Sequence, residues 1–182
     1  MMPGRRVLAG AVLFVLLCGI GGCGGAKNSA FAEPVGRSQV PTASERGPVT
    51  FQYESLDERP VSSAALKGRL AVIAFITTYD MASQAQVNFL VAMAKHDGDR
   101  VAYALVALQE RRDRELIEVY RTQLEVTFPV ALADAETIAG GGPFGDVHTV
   151  PTVVLLDREG HVVWRNVGLA KSDELRREMH GR

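Results

Sequence analysis

The chain has 182 residues, of which 47% are hydrophobic and 23% charged, and its formal net charge at pH 7 is -1. This length and hydrophobic content suffice for one sizeable core, so we expect a single domain plus a targeting segment. The nearly balanced charge leaves no basic surface of the size that nucleic-acid binding requires, and no nucleic acid is expected among the partners.

The N-terminus has the pattern of an export signal. Arg5 and Arg6 precede a mostly apolar run over residues 7–20, which is shorter than the roughly 20 apolar residues of a membrane span. Residues 20–23, Ile-Gly-Gly-Cys, resemble a bacterial lipobox. The sequence therefore predicts a lipoprotein signal peptide over residues 1–22 and lipid attachment at Cys23, the alternative being an ordinary signal peptide with a chance cysteine.

The cysteine count limits the chemistry of the mature protein. Cys18 and Cys23 are the two cysteines of the chain. The first lies within the predicted signal and the second would carry lipid through its sulfur, so the folded part has no free thiol and can form no disulfide. Export predicts a location in the bacterial cell envelope, lipid-anchored, on the periplasmic or another extracytoplasmic face.

The segment after Cys23 is predicted to be a tether. Residues 24–48 are rich in Gly, Ala, Ser and Pro and show no hydrophobic periodicity. A flexible coil of this length has a root-mean-square span of about 25–30 Å. The predicted organisation is therefore a signal peptide (1–22), a flexible tether (23–48) and a folded domain (49–182).

The folded domain centres on a buried strand that leads directly into a helix. Residues 70–76 form an unbroken apolar run, residues 77–80 a polar turn, and residues 81–95 an amphipathic helix with Val87, Leu90, Val91 and Ala94 on its apolar face. The first free N–H groups of a helix favour an anion. Asp80 is therefore predicted to be the N-cap, with a contribution of about 1 kcal/mol.

The remaining pattern alternates strands and helices and ends in a hairpin and a helix. Strands are predicted from residue 49 to 53, then over residues 101–108, 150–157 and 162–167, and helices over residues 113–124 and 172–179. Residues 128–130 begin another short extended piece that leads to Asp134. In the helix over 113–124, the side chains predicted to point inward are Leu116, Ile117, Tyr120 and Leu124. Ser172 is predicted to cap the last helix. Residues 139–145 form a glycine-rich loop, and Trp164 is assigned to core or edge packing.

Two stretches resemble the thioredoxin-like lipoproteins and periplasmic reductases of the TlpA and ResA type. In that family the central strand ends in a Trp-Cys-x-x-Cys turn, and the matching residues here are Tyr79-Asp80-Met81-Ala82-Ser83. Asp80 stands where the attacking thiol would be, and Ser83 stands where the resolving thiol would be. Residues 149–152, Thr-Val-Pro-Thr, resemble the family's cis-proline loop. The resemblance implies a thioredoxin-like α/β fold, with a central mixed sheet flanked by helices, over about residues 49–168.

The resemblance also implies where a ligand would bind. Val150-Pro151 would lie against the turn at Asp80 and offer its backbone to an extended segment. We therefore predict a membrane-anchored domain without thiol redox chemistry that binds an envelope protein in a groove. This groove consists of Tyr79, Asp80, Met81, Ser83, Val150, Pro151 and Thr152. No catalytic residue, metal or cofactor is predicted.

Other functions remain open at this stage. A thiol-disulfide oxidoreductase or a peroxiredoxin-like component of envelope redox homeostasis would lack its thiol nucleophile. A metal or small-ligand carrier using Met81, Asp80 and His148 would lack the soft thiolates that copper prefers. A Ser83–His148–Asp80 catalytic arrangement has neither a nucleophile elbow nor an identifiable oxyanion donor. The loop over residues 139–145 lacks the Lys-Ser or Lys-Thr of a phosphate cradle.

Overall fold

The computed structural model describes residues 47–181, so the predicted signal peptide, Cys23 and nearly all of the predicted tether lie outside the described residues. The strands are β1 (Gln52–Ser55), β2 (Val61–Ser62), β3 (Leu70–Ile76), β4 (Val101–Ala107), β5 (Val130–Leu132), β6 (Thr152–Leu156) and β7 (Val162–Val167). The helices are α1 (Ser63–Leu66), α2 (Met81–Asp97), α3 (Arg114–Gln123), α4 (Ala135–Ile138) and α5 (Ser172–His180). Within this part of the chain no helix has both the length and the apolar character to cross a membrane.

The strands form one mixed sheet in the order β2-β1-β5-β4-β3-β6-β7. β3 lies in its interior between β4 and β6, parallel to β4 and antiparallel to β6. Because parallel strands must be linked by crossover connections, α2 and α3 pack back onto the sheet. The carboxyl ends of β3, β4 and β5 consequently point to the same end of the sheet, where β6 also begins. We call this end of the sheet the groove end.

Both faces of the sheet are covered, which explains why β3 and β4 are continuous apolar runs. Helices α2, α3 and α5 cover one face, where Leu90, Ile117 and Leu175 are fully buried. The N-terminal segment and the glycine-rich loop cover the other. There the ring of Phe144 lies 4.9 Å from that of Phe51 and 5.3 Å from that of Phe75, centroid to centroid, and both pairs have edge-to-face geometry.

The predicted order of long elements is confirmed, whereas several local predictions are wrong. Leu116 is 41% exposed because the inward face of α3 is centred on Ile117, which places Leu116 at its side. Ser172 is the first residue of α5 and not its cap, since Lys171 occupies the N-cap position and forms no side-chain capping bond. β6 begins only after Pro151, which has no N–H to give to a ladder. Trp164 packs half-buried on edge strand β7, as predicted.

A buried carboxylate ties α2 to β4 and α5. The hydroxyl of Tyr103 donates to Asp97 Oδ2 at 2.6 Å, Asp97 Oδ1 lies 2.9 Å from His96 Nδ1, and Arg176 Nη1 lies 3.7 Å from the same oxygen. Burial by itself would raise the pKa of Asp97. The hydrogen bonds from His96 and Tyr103, with the charge of Arg176, outweigh burial and hold this pKa below its usual value.

Two tyrosines offer a matched test of this cluster. We expect Tyr103→Phe to lower the free energy of unfolding by about 1–3 kcal/mol, because the buried Asp97 loses a donor. Tyr120→Phe should be nearly neutral, because the buried Tyr120 hydroxyl has no hydrogen-bond partner within residues 47–181. Urea unfolding of both variants measures the difference. Equal losses would show that the Tyr103–Asp97 bond adds nothing to stability.

Candidate binding groove at the end of the central strand

The turn between β3 and α2 is closed by Asp80. Asp80 is the N-cap of α2, and its Oδ2 accepts the Ser83 N–H at 2.6 Å, as the sequence predicts. Hydrogen bonding from Ser83, through its side chain and its N–H, lowers the pKa of Asp80 below the ordinary aspartate value. Asp80 is therefore an ionised cap at neutral pH, and it gives the turn the negative charge that a thiolate would have given.

Ser83 lies beneath this turn. Its side chain is fully buried, and its Oγ accepts the N–H of Thr77 at 3.3 Å. The N–H of Thr78 donates in turn to Gln109 Oε1 at 2.8 Å, which fixes the turn to the end of β4. Ser83 therefore supports the turn from within. Of the residues predicted to form the groove, Ser83 and Thr152 are fully buried and offer no surface to a ligand, and Pro151 is buried as well.

The proline loop lies beside the turn through the register of the sheet. Phe75 pairs with Thr152, so the residues before β6 are next to the residues after β3. The Val150–Pro151 peptide bond is cis. The Pro151 carbonyl accepts the N–H of Gly168 at 2.8 Å, and this bond fixes the loop to the end of β7.

Val150 carries the unused hydrogen-bonding groups of this loop. In the described part of the chain, neither its N–H nor its C=O has a hydrogen-bond partner. Val150 itself is half-buried, so part of this residue is accessible to solvent. A backbone donor and acceptor on one extended residue can pair with the backbone of another extended segment, which is how β-augmentation begins.

Exposed apolar side chains flank Val150 on two sides. Tyr79 and Met81 on the β3–α2 turn are 69% and 80% exposed, and Val167 and Leu169 at the end of β7 are 50% and 42% exposed. We call these four residues the apolar rim. Since neighbouring strands lie about 4.8 Å apart, the two halves of the rim are about 10 Å apart, on either side of β6. Exposed apolar side chains grouped in this way mark interaction sites.

The second half of the rim could not be predicted as part of the groove. Val167 and Leu169 follow an ordinary strand pattern, and only the pairing of Thr152 with Val167 brings them to the proline loop. Gln86, fully buried on α2, accepts the N–H of Ala170 on its Oε1 at 2.7 Å. This bond holds the segment after β7 against α2, so Gln86 positions Leu169. In the sequence, a glutamine among the mainly apolar residues of the inward face of α2 indicates such a positioning role.

His148 lies between the glycine-rich loop and the proline loop, and not at the β3–α2 turn. Its Nε2 lies 2.6 Å from Asp146 Oδ1, and a side chain at Gly140 would overlap its ring. Gly140 has a φ of +84°, so both its backbone and its space require glycine. No contact within residues 47–181 joins His148 to Asp80 or Ser83, so the structure does not bring the three together. In the same range no three Asp, Glu, His or Cys residues are grouped closely enough to hold a metal ion.

An arginine from β7 holds the end of the glycine-rich loop in place. Arg165 Nη1 donates to the carbonyl of Phe144 at 3.0 Å, and Nη2 donates to that of Asp146. Burial lowers the pKa of the Arg165 guanidinium, although the charge of Asp146 opposes this effect. Together with the Phe144 ring contacts, Arg165 therefore shapes the loop that carries Val150.

Comparison with known proteins gives the fold. No protein-family profile and no curated protein matches this sequence. Solved structures do match. A DsbF homologue from Corynebacterium diphtheriae has a TM-score of 0.69 at 19% identity, over 84% of this chain and 98% of its own. A thiol:disulfide interchange protein of the thioredoxin family from Chlorobium tepidum has a TM-score of 0.63 at 22% identity, over 80% and 98%. StoA from Bacillus subtilis has 0.58 at 18%, over 72% and 97%.

These similarities establish a thioredoxin-like fold for the described domain. At such identities the chemistry must be read from the site itself. The residues that the sequence predicts at the two thiol positions, Asp80 and Ser83, carry a carboxylate and a hydroxyl.

Proposed function

We propose that this protein is a membrane-anchored thioredoxin-like domain that has no thiol redox chemistry and binds an extended segment of another envelope protein. The unpaired N–H and C=O of Val150, placed between the two halves of the apolar rim, carry this proposal. An extended segment would pair with Val150 through its backbone and place apolar side chains on the rim. The anchor would be lipid on Cys23.

The second candidate is a component of thiol:disulfide interchange, the activity after which the similar protein from Chlorobium tepidum is named. Thiol-disulfide exchange starts with attack by a thiolate on a disulfide sulfur. After residue 23 the chain has no cysteine, so every thiol of such a cycle would have to come from another molecule. The groove could still present a disulfide-bearing partner, but the bond exchange itself would take place elsewhere.

Photocrosslinking in cells tests the binding proposal. A photoreactive residue at Met81 is expected to capture one dominant envelope polypeptide, because this side chain is 80% exposed at the rim. The same residue at Val119, which is 53% exposed on α3, serves as the control and should capture little.

A charge placed on the rim gives the sharper comparison. Leu169→Asp should abolish capture from Met81, because a carboxylate would have to lose its hydration against an apolar segment. Val119→Asp, the matched charge outside the rim, should leave capture unchanged. Capture that survives Leu169→Asp, or that is equally strong from Val119, would contradict binding at the groove.

A further inference from the structure

Four exposed cations lie at the end of the sheet opposite the groove end. They stand on three turns, namely the turn before β3, the turn before β4 and the turn between β6 and β7. We call this surface the basal patch, and its residues are Lys67, Arg69, Arg100 and Arg158. Three acidic residues, Asp99, Asp157 and Glu159, lie on the same turns.

The backbone brings these turns together. Leu70 and Val101 are register partners at the starts of β3 and β4, so the residues just before them are neighbours. The Gly68 N–H donates to the carbonyl of Arg158 at 2.9 Å, which connects the turn before β3 to the β6–β7 turn. The patch is therefore one continuous surface and not four scattered charges.

The cations of the basal patch are available to an external partner. None of the four forms an ion pair within residues 47–181, whereas Arg59, Arg111, Arg112, Arg114, Arg121 and Arg176 all do. Arg100 is held in place by backbone carbonyls, since its Nε donates to that of Asp97 at 3.1 Å and its Nη2 to that of His96 at 3.3 Å. The side chains of Lys67, Arg69 and Arg158 have no hydrogen-bond partner in the same range. Asp157 is occupied within its own turn, where its carboxylate accepts the N–H groups of Glu159 and His161. One of the three acidic side chains is thus held within its own turn, whereas Asp99 and Glu159 are exposed.

The described chain begins beside this patch. The N–H of Val49 donates to the carbonyl of Gly160 in the β6–β7 turn at 2.9 Å. The residues that lead back to Cys23 therefore join the domain at the basal patch. The predicted tether of residues 23–48 would let the patch reach a bilayer surface, since its expected span is about 25–30 Å.

We propose that the basal patch rests on an anionic phospholipid surface, so that the groove faces away from the membrane; this inference depends on the anchor at Cys23 proposed above. Each Lys or Arg near an anionic bilayer adds a modest attraction that falls off within a Debye length. The tether makes modest attraction sufficient, because it holds the patch near lipid at an effective concentration on the order of millimolar.

Charge at the groove end favours the same orientation. The turns and first helical turns there carry nine carboxylates against four Lys or Arg side chains. The carboxylates are Asp80, Glu110, Asp113, Glu115, Asp134, Glu136, Asp146, Asp173 and Glu174, and the cations are Arg111, Arg112, Arg114 and Lys171. An anionic bilayer would repel this end, so the domain would turn its basal patch toward the lipid.

Amine labelling of the anchored full chain tests the orientation. The lipidated protein, purified from bacterial membranes, is reconstituted into vesicles of phosphatidylcholine or of equal parts phosphatidylcholine and phosphatidylglycerol, and acetylated with a water-soluble reagent. We expect the labelling rate of Lys67 to fall about fivefold in the anionic vesicles and to recover at high salt. Lys171, exposed at the groove end, serves as the internal reference and should react equally in both.

Charge reversal then assigns the effect. Arg69→Glu with Arg158→Glu should return the Lys67 rate to its value in phosphatidylcholine, whereas Arg111→Glu with Arg112→Glu, an equal charge change at the groove end, should not. Equal Lys67 rates in both lipids, or protection of Lys171 instead, would overturn the inference. Failure of the purified full chain to sediment with phosphatidylcholine vesicles would also overturn the inference, because the chain would then carry no lipid anchor. The proposed binding at the groove would not be affected by that result. The salt dependence of Lys67 labelling is measured on the unsubstituted chain, so it still tests the inference if the double substitution unfolds the domain.

Discussion

Asp80→Cys combined with Ser83→Cys is expected to give this domain thiol redox activity. Asp80 is half-exposed at the helix N-terminus and Ser83 is fully buried one turn on, so the first thiol could attack a substrate and the second could resolve the mixed disulfide. A helix N-terminus lowers a thiol pKa and favours the attacking thiolate. The cost is the aspartate cap, about 1 kcal/mol.

Turnover of insulin disulfides by dithiothreitol measures this gain. A Cys18→Ser/Cys23→Ser background removes the remaining thiols, and there the unsubstituted turn should give only the uncatalysed rate. Asp80→Cys alone should turn over much more slowly than the double variant, because its mixed disulfide with insulin has no internal resolving thiol and only dithiothreitol can release it. Turnover by the chain with Asp80 and Ser83 intact would contradict the central proposal, and an inactive but folded double variant would show that the turn has lost more than its thiols.

Phe144→Ala is expected to cause the largest loss of stability among the loop residues. Phe144 is buried between Phe51 and Phe75 and anchors the glycine-rich loop to the sheet. Truncating a buried phenylalanine to alanine typically costs about 3–5 kcal/mol, through lost burial and the cavity that remains. Because the glycine-rich loop leads directly into the proline loop that contains Val150, capture of a partner at Met81 should also fall.

Urea unfolding followed by the fluorescence of Trp164, the one tryptophan of the chain, measures this loss. Val119→Ala, at an exposed position, is the control and should change the free energy of unfolding by no more than about 0.5 kcal/mol. A loss below about 1 kcal/mol for Phe144→Ala would mean that the loop closes over the cavity. In that case the loop would be held mainly by Arg165.

The sequence was informative where local pattern and burial coincide. The run over residues 70–76, the cap at Asp80 and the hairpin after Pro151 each have a local cause, and they allowed the fold to be predicted. The short helices α1 and α4 were not predicted, although Asp134 caps α4 with a hydrogen bond from Thr137 N–H at 2.8 Å. A four-residue helix is too short for hydrophobic periodicity to be visible.

The groove was only partly predictable, for a different reason. Tyr79, Met81 and Val150 were identified because they lie next to the two motifs, whereas Val167 and Leu169 join the rim through strand pairing across the sheet. The burial of Ser83 likewise depends on where α2 packs. Periodicity had suggested Leu116 as an inward residue, but the packing of α3 centres on Ile117. These properties are set by tertiary contacts that no local window contains.

The hydrogen bonds that close the β3–α2 turn also determine how a partner would leave it. The two contacts, Ser83 N–H to Asp80 and Thr77 N–H to Ser83, contain no bond that oxidation or reduction could make or break. A partner held beside this turn would leave by simple dissociation, with no mixed disulfide to resolve. Its residence time would then be the same under oxidising and reducing conditions, so occupancy in the envelope would follow the partner's concentration and not the redox poise.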